Sequence, residues 1–194
     1  MTPFATLSGA AAALAQANID TDQIIPARFL RRPREDGYNN FLFHDLRAGS
    51  NRFPLGATGN PPIIVADANF GCGSSREGAV YALVDSGVRC VIASSFGDIF
   101  AGNAAKNGLL TVVLSPEECA ALRDAAVSGA ALTVDLQAQE VRVGEAVHPF
   151  SVDPFRKRCL LAGLDDIDLT LENAAEIEAF EANIPWLRPW ALPS

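Results

Sequence analysis

The run Gly71-Cys72-Gly73-Ser74-Ser75-Arg76 brings together a thiol, two hydroxyls and a guanidinium, with two glycines among them. Glycine lets the backbone bend tightly and approach a ligand closely. A helix that follows would aim its unpaired N–H groups at whatever sits above Ser74 and Ser75. Arg76 adds a planar cation that grips a carboxylate through two hydrogen bonds. Together these groups describe an anion site with a hydroxyl at its centre. Nearby N–H groups and an arginine stabilise an alkoxide at Ser74, so the residue can serve as a base. The other reading is that Ser74 only caps the helix. Cys72 is a rival nucleophile, because helix N-termini lower thiol pKa values. It would need a base, and the two histidines, His44 and His148, are distant in sequence.

Common motifs do not fit this turn. A P-loop needs Gly-Lys-Ser/Thr, and no lysine is present here. The dinucleotide fingerprint needs Gly or Ala where Arg76 stands. The esterase elbow needs a glycine two residues after Ser74, which is again Arg76. Elsewhere, Asp20 and Asp22 sit in Asn18–Pro26, where Asx residues can simply brace a turn. A calcium loop is excluded, because Ile24 falls at a ligand position. Arg28, Arg31, Arg32 and Arg34 cluster in one short segment. They suit either a solvated loop or a loop that meets an anionic substrate. Cys72, Cys90, Cys119 and Cys159 are widely spread with no C-x-x-C pair, so a zinc or iron–sulfur site from this chain alone is not expected. Cys90 and Cys159 lie in apolar runs and read as buried, and Cys119 falls on a helix.

The elements that must position the turn follow a strand–helix alternation. Ile63–Ala66 is a short apolar, β-branched run, as in a buried parallel strand. Ser75–Ser86 reads as a helix with Val80, Leu83 and Val84 on one face and Gly87 at its end. Val88–Ala93 is a strand, Phe96–Lys106 a helix and Leu109–Leu114 a strand. Ser115, Pro116 and Glu118 form the start of another helix, with a capping box. Short links between such elements imply right-handed crossovers. Ala131–Gln137 and Glu140–Val143 then alternate apolar and polar residues, as in an antiparallel hairpin. Asp153-Pro154 opens a helix ending near Gly163, and Leu171–Ala182 is a last, outer helix. Toward the N-terminus, Phe4–Leu7 suits a strand, Ala10–Ala15 is Ala-rich, and Asn18–Pro26 reads as a loop. Arg31–Asn40 reads as an exposed, mobile loop, and Ala57–Pro62 as a turn. The expected fold is a three-layer α/β domain over residues 1–194, with a mainly parallel sheet and a smaller antiparallel one.

The chain has 194 residues, enough for one domain with a full core. Fifteen Lys and Arg oppose twenty-three Asp and Glu, a formal charge of −8. That balance repels phosphate backbones and anionic lipid, so neither nucleic acid nor membrane is an expected partner. No signal-peptide pattern opens the sequence, and its apolar runs are too short to span a bilayer. A cytoplasmic location is expected.

The stretch Asn69-Phe-Gly-Cys-Gly-Ser-Ser-Arg-Glu77 resembles the signature of the aconitase swivelling-domain family, in the form carried by small subunits of 3-isopropylmalate dehydratase. Asn18-Ile-Asp-Thr-Asp-Gln-Ile-Ile-Pro26, Val91–Phe100, Lys106–Leu110, Phe41–Arg47 and the Glu-rich final helix are similar to family segments in the same order. The resemblance covers essentially the whole chain. It implies a swivelling β/β/α fold and a hydro-lyase that converts 2-isopropylmalate to 3-isopropylmalate through a bound alkene, in leucine synthesis. It implies a [4Fe–4S] cluster held by cysteines of a separate large subunit, with this chain active only in a heterodimer or heterotetramer. By position, Ser74 would be the base that moves the C–H proton. Gly73, Ser75 and Arg76 would contact substrate carboxylates, and Asp22 would match an acid facing the partner's catalytic groups. Arg28 lies near where larger relatives place a substrate-binding arginine. Phe29–Tyr38, with the loop 31–40, falls where the family reads the substrate side chain. One departure stands out: Glu77 is followed by Gly78-Ala79-Val80, where most members have His-Ala-Pro. It bears on substrate choice, and paralogues act on citramalate, homoaconitate or dimethylmalate. A non-catalytic anion-binding module is the reading from another class.

Overall fold

The computed structural model describes residues 1–49, 53–56 and 59–187, the last four of these by backbone only. The chain divides into two compact units, Met1–Gly163 and a second from Leu164 onward.

The first unit holds two sheets. One is parallel, in the order β2 (Ala11–Leu14), β3 (Ile63–Ala66), β4 (Cys90–Ala93) and β5 (Leu110–Val113). The other is antiparallel, in the order β1 (Thr6–Gly9), β6 (Leu132–Asp135), β7 (Glu140–Val143) and β8 (Ala146–Pro149). The expected class therefore holds, with a refinement. The central sheet is wholly parallel, and the second sheet equals it in strand number because β1 and β8 join the hairpin.

Pleating divides the parallel strands between two cores, since successive side chains point to opposite faces. Ile64, Ala66, Val91 and Ala93 pack with Ala79, Val80 and Leu83 of α3 (Glu77–Asp85) and Phe100 and Ala104 of α4 (Asp98–Lys106). Ile63, Val65, Cys90, Ile92 and Val112 face the other way. They pack with Cys119 and Leu122 of α5 (Pro116–Val127) and with Leu132, Val134 and Val141 of the antiparallel sheet. β3 and β4 are buried along their whole length, while Val113 on β5 is exposed, as suits an edge strand. The layers are thus helices, parallel sheet, and antiparallel sheet with α5.

Local chemistry sets several ends. The Ser115–Glu118 capping box starts α5 behind Pro116. Asp153 caps α6 (Pro154–Ala162), which stops at Gly163 in the left-handed region. Other elements depart from expectation. Ala11–Leu14 is a strand, although alanine favours helices, because it pairs along β3 as the sheet edge. Asn18–Pro26 contains a one-turn helix, α1 (Thr21–Ile24), capped by Asp20 with Gln23 closing the box. Arg31–Asn40 contains two 3-10 turns, Arg34–Asp36 and the start of Tyr38–Phe41, and Tyr38 is buried. α2 (His44–Gly49) follows. Of the turn expected at Ala57–Pro62, Ala57 and Thr58 lie outside the described residues.

In the second unit, α7 (Asp166–Leu171) precedes α8 (Ala174–Leu187), where the sequence predicts a single helix over Leu171–Ala182. Among the described residues no helix is long and apolar enough to cross a membrane.

Candidate active site

Two segments from the carboxyl ends of neighbouring parallel strands build the site. This is the edge where open α/β sheets bind ligands. β2 runs on to Ile19–Asp22 and β3 to Asn69–Arg76. The segments are laced by a parallel bridge between Asp20 and Cys72. Gly71 N–H donates to the Ile19 carbonyl (2.7 Å) and Thr21 N–H to the Cys72 carbonyl (3.0 Å). The buried Thr21 hydroxyl donates to the Ser74 carbonyl at 3.0 Å. Upstream, Asn18 and Asn69 both adopt left-handed backbone, with φ of 56° and 61°, and Asn69 Nδ2 donates to Asn18 Oδ1 at 2.8 Å. Asn and Asp tolerate that region better than other side chains do.

The glycines of the turn are not equivalent. Gly71 and Gly73 have φ of 72° and 91°. A side chain at Gly71 would collide with the Phe100 ring, its Cβ falling 2.2 Å from Cγ. One at Gly97, before α4, would meet the Gly71 carbonyl at 2.6 Å. These close approaches wedge the turn between α1 and the start of α4.

α3 begins at Glu77 with Arg76 as its cap residue, later than the Ser75 start expected. Ser74 and Ser75 therefore stand outside the helix, and Ser74 is not its cap. Both are exposed, as is Gly73. No side chain caps α3; the Ala79 N–H donates to the Arg76 carbonyl at 3.1 Å, and the N–H groups of Glu77 and Gly78 precede it at the turn. Arg76 is largely buried, and its Nη1 forms an ion pair with Asp22 Oδ1. Asp22 Oδ1 also accepts from the Ala27 N–H at 3.2 Å. The hydrogen bond from Arg76, with its charge, holds the Asp22 carboxyl below the usual carboxylate range. A guanidinium has five N–H donors, and Asp22 engages one nitrogen of Arg76.

Ser74, Ser75, Arg76, Gly73 and Asp22 thus come together. Arg28 does not join them. It pairs with Asp45 in a forked contact, lies over the Phe29 ring at 4.6 Å, and Asp45 also receives His44 Nδ1 at 3.0 Å. Arg34 pairs with Asp85, and Arg32 lies 3.8 Å from Asp36, so three of the four clustered arginines meet carboxylates of this chain. Cys72 is half-buried, while Cys90, Cys119 and Cys159 are buried. Burial pushes the Cys119 thiol up to about 11 and Cys90 higher still. Thiols buried and held protonated in this way, as Cys90 and Cys119 are within one core, do not fit the thiolate set that an iron–sulfur cluster takes. His148, the second histidine, binds Glu118 on the far side of the sheet, which leaves it as no base for Cys72.

The Asp22–Arg76 pair makes a pH prediction. A carboxyl whose pKa is lowered on folding stabilises the fold above its unfolded value, and loses that effect as pH falls through the folded value. Asp22→Asn is expected to cost less than about 1 kcal/mol at neutral pH, because Asp22 is half-exposed. The difference from the parent chain should vanish in urea titrations run well below pH ~4. A difference that persists there would mean the carboxylate is not its source.

The fold and turn define an aconitase-type C-terminal domain, and the family model with the description Aconitase C-terminal domain matches residues 50–117. Residues 120–154 match the LeuD_N model, and residues 166–194 match the model for the C-terminal domain of the 3-isopropylmalate dehydratase small subunit. The 3-isopropylmalate dehydratase small subunits of Xanthobacter autotrophicus and Azorhizobium caulinodans are 49% and 48% identical to this chain, which covers all of each, with 96% and 98% of the chain aligned. A crystal structure of 3-isopropylmalate dehydratase from Methanocaldococcus jannaschii superposes with a TM-score of 0.67 at 27% identity, over 91% of this chain and 99% of that one. The chain belongs to the family of 3-isopropylmalate dehydratase small subunits. The aconitase family uses an iron–sulfur cluster, and the small-subunit naming implies a large-subunit partner.

Proposed function

We propose that this chain is the small subunit of a hydro-lyase interconverting 2- and 3-isopropylmalate, and that the Gly71–Arg76 turn is its contribution to the active site. The observation that carries the reading is the exposed Ser74 on a turn outside the helix, beside a largely buried arginine already paired with Asp22. Arg76 and the first N–H groups of α3 bind and orient a substrate carboxylate. Ser74 Oγ takes the proton from the carbon that loses it and returns it on rehydration. Arg76 and the neighbouring N–H groups favour the alkoxide form of that oxygen. Asp22 is a positioning residue for Arg76, and Gly73 and Ser75 shape the carboxylate contact.

A [4Fe–4S] cluster on the large subunit would supply Lewis-acid chemistry at the departing hydroxyl. It belongs to the partner in this reading because the thiols of this chain do not fit it. The enzyme then acts in leucine synthesis in the cytoplasm, as a heterodimer or heterotetramer. In this reading segment 31–40 serves as the recognition loop for the substrate side chain, within one swivelling domain.

Coexpressed with a large subunit of this family and assayed without oxygen, the chain is expected to interconvert the two isopropylmalates. Alone it is expected to be inactive. Turnover by the isolated chain that is lost in Cys72→Ser would instead establish a self-contained thiol enzyme. Inactivity of an assembled, cluster-loaded complex on isopropylmalate, citramalate and homoaconitate alike would favour an anion-binding module.

A further inference from the structure

α3 offers one stripe of residues to the segment that runs from Ala27 to Phe41. Gly78, Tyr81 and Asp85 are spaced by three and four, so they share a helix face. The segment engages all three. Arg34 donates from Nε and Nη2 to the two Asp85 carboxylate oxygens, at 3.0 Å and 2.6 Å. The same guanidinium lies 4.0 Å above the Tyr81 ring centre. Tyr38 is buried 6.4 Å from the Tyr81 ring, and its hydroxyl donates to the Arg32 carbonyl at 3.1 Å. Phe29 and Phe41 stack at 4.3 Å and close the base of the segment.

At Gly78 the approach is tightest. A Cβ there would fall 2.6 Å from Leu30 Cδ2 and 3.3 Å from Tyr38 Cε2. Gly78 is not among the residues with positive φ, so the helix itself does not require glycine. Glycine inside a helix carries a cost relative to alanine. A side chain here would have to push the tip of Leu30 aside and crowd Tyr38. Gly78 also lies two residues after Arg76, on the first turn of α3, so Leu30 stands against the same helix end that bears the anion site.

We propose that the Gly78–Tyr81–Asp85 face is a dock for segment 27–41, and that the missing side chain at Gly78 sets how close Leu30 stands to the carboxylate site and so which substituent is admitted beside it. The Arg34–Asp85 fork and the Tyr81 ring fasten the far end of the segment. Leu30, drawn onto Gly78, fixes the near end. The dock rests on the dicarboxylate reading above, and these three residues act by positioning the segment rather than by touching the reacting atoms.

The test uses the complex with the large subunit and two alkenes that differ at one position, 2-isopropylmaleate and maleate. Gly78→Ala is expected to lower kcat/KM for the branched alkene about ten-fold relative to maleate, through KM, as a change of one methyl group in an apolar pocket does. Gly78→Ala with Leu30→Ala is expected to bring the ratio back, because the clash partner is gone. Should Gly78→Ala not assemble, Asp85→Asn provides the second measurement: tryptic cleavage after Arg31 should speed up, and the alkene ratio should shift. An unchanged ratio in assembled Gly78→Ala, or an unchanged ratio and unchanged cleavage in Asp85→Asn, would overturn the dock. If the parent complex hydrates neither alkene, the hydro-lyase reading fails, while the cleavage comparison still reports on the dock.

Discussion

Ser74→Ala in the assembled enzyme is expected to lower kcat by about two to four powers of ten, the contribution of a positioned base to removing a weakly acidic C–H proton. The substitution is unusually clean here. Only the hydroxyl is lost, and the contact that holds this part of the turn is made by the Ser74 carbonyl, which alanine retains. The helix keeps its start, because Arg76 is the cap residue. Thermal stability should therefore stay within about 0.5 kcal/mol of the parent, as for exposed positions away from structural features. KM should move little, because Arg76 and the helix N–H groups still bind the carboxylate. Cys72→Ser is the matching control and should keep activity. Full activity in Ser74→Ala would remove the serine from the mechanism and leave the turn as a binding element.

Gly71→Ala is expected to destabilise the fold by about 3 kcal/mol. Left-handed backbone costs a non-glycine residue ~1–2 kcal/mol, and an overpacked core adds ~1–3 kcal/mol. Both apply at this position: φ is 72°, and the new Cβ would fall 2.2, 2.6 and 2.7 Å from three atoms of Phe100. Phe100 has little room to retreat, being 2% exposed and packed against Phe70 and Phe96. Gly73→Ala separates the two causes. It shares the positive φ, but its nearest neighbours lie at 3.5 and 3.7 Å. It should cost about 1 kcal/mol, the backbone part alone. Denaturant unfolding of the two variants measures the difference, and equal losses would show that the collision with Phe100 is relieved at no cost. A displaced turn in Gly71→Ala should also cut activity about a hundred-fold, the usual penalty of misplacing catalytic groups by ~1 Å.

What can be read from the sequence follows from how local each signal is. Ile63–Ala66 is apolar throughout and β-branched in its first three residues, and the strand has those bounds. Ser115, Pro116 and Glu118 specify a helix start by their own hydrogen bonds, and the box is formed. Ala11–Leu14 carries no such signal. Its strand state comes from pairing with residues about fifty positions away, and tertiary context overrides alanine's preference. The serines of the turn suit a cap and so suggest an early start for α3, whereas the turn continues through Arg76. The site shows the same division. The composition of Gly71–Arg76 points to an anion turn, and Asp22 stands out by its segment. Its ion pair with Arg76, and the capture of Arg28 by Asp45 and Arg34 by Asp85, depend on distant elements. No spacing along the chain announces them.

The exposure of Ser74 and Ser75 at the open end of the sheet decides how much their charged neighbour can do. A unit charge 4 Å away is worth about 1 kcal/mol in bulk water and about 4 kcal/mol at an effective dielectric constant of 20. While solvent wets the turn, Arg76 therefore lowers the proton affinity of the serine oxygen by little. Any surface that seals this rim and expels water multiplies the same charge several-fold without moving an atom of this chain. The turn behaves as electrostatic machinery that is already aligned and is held in reserve by solvent.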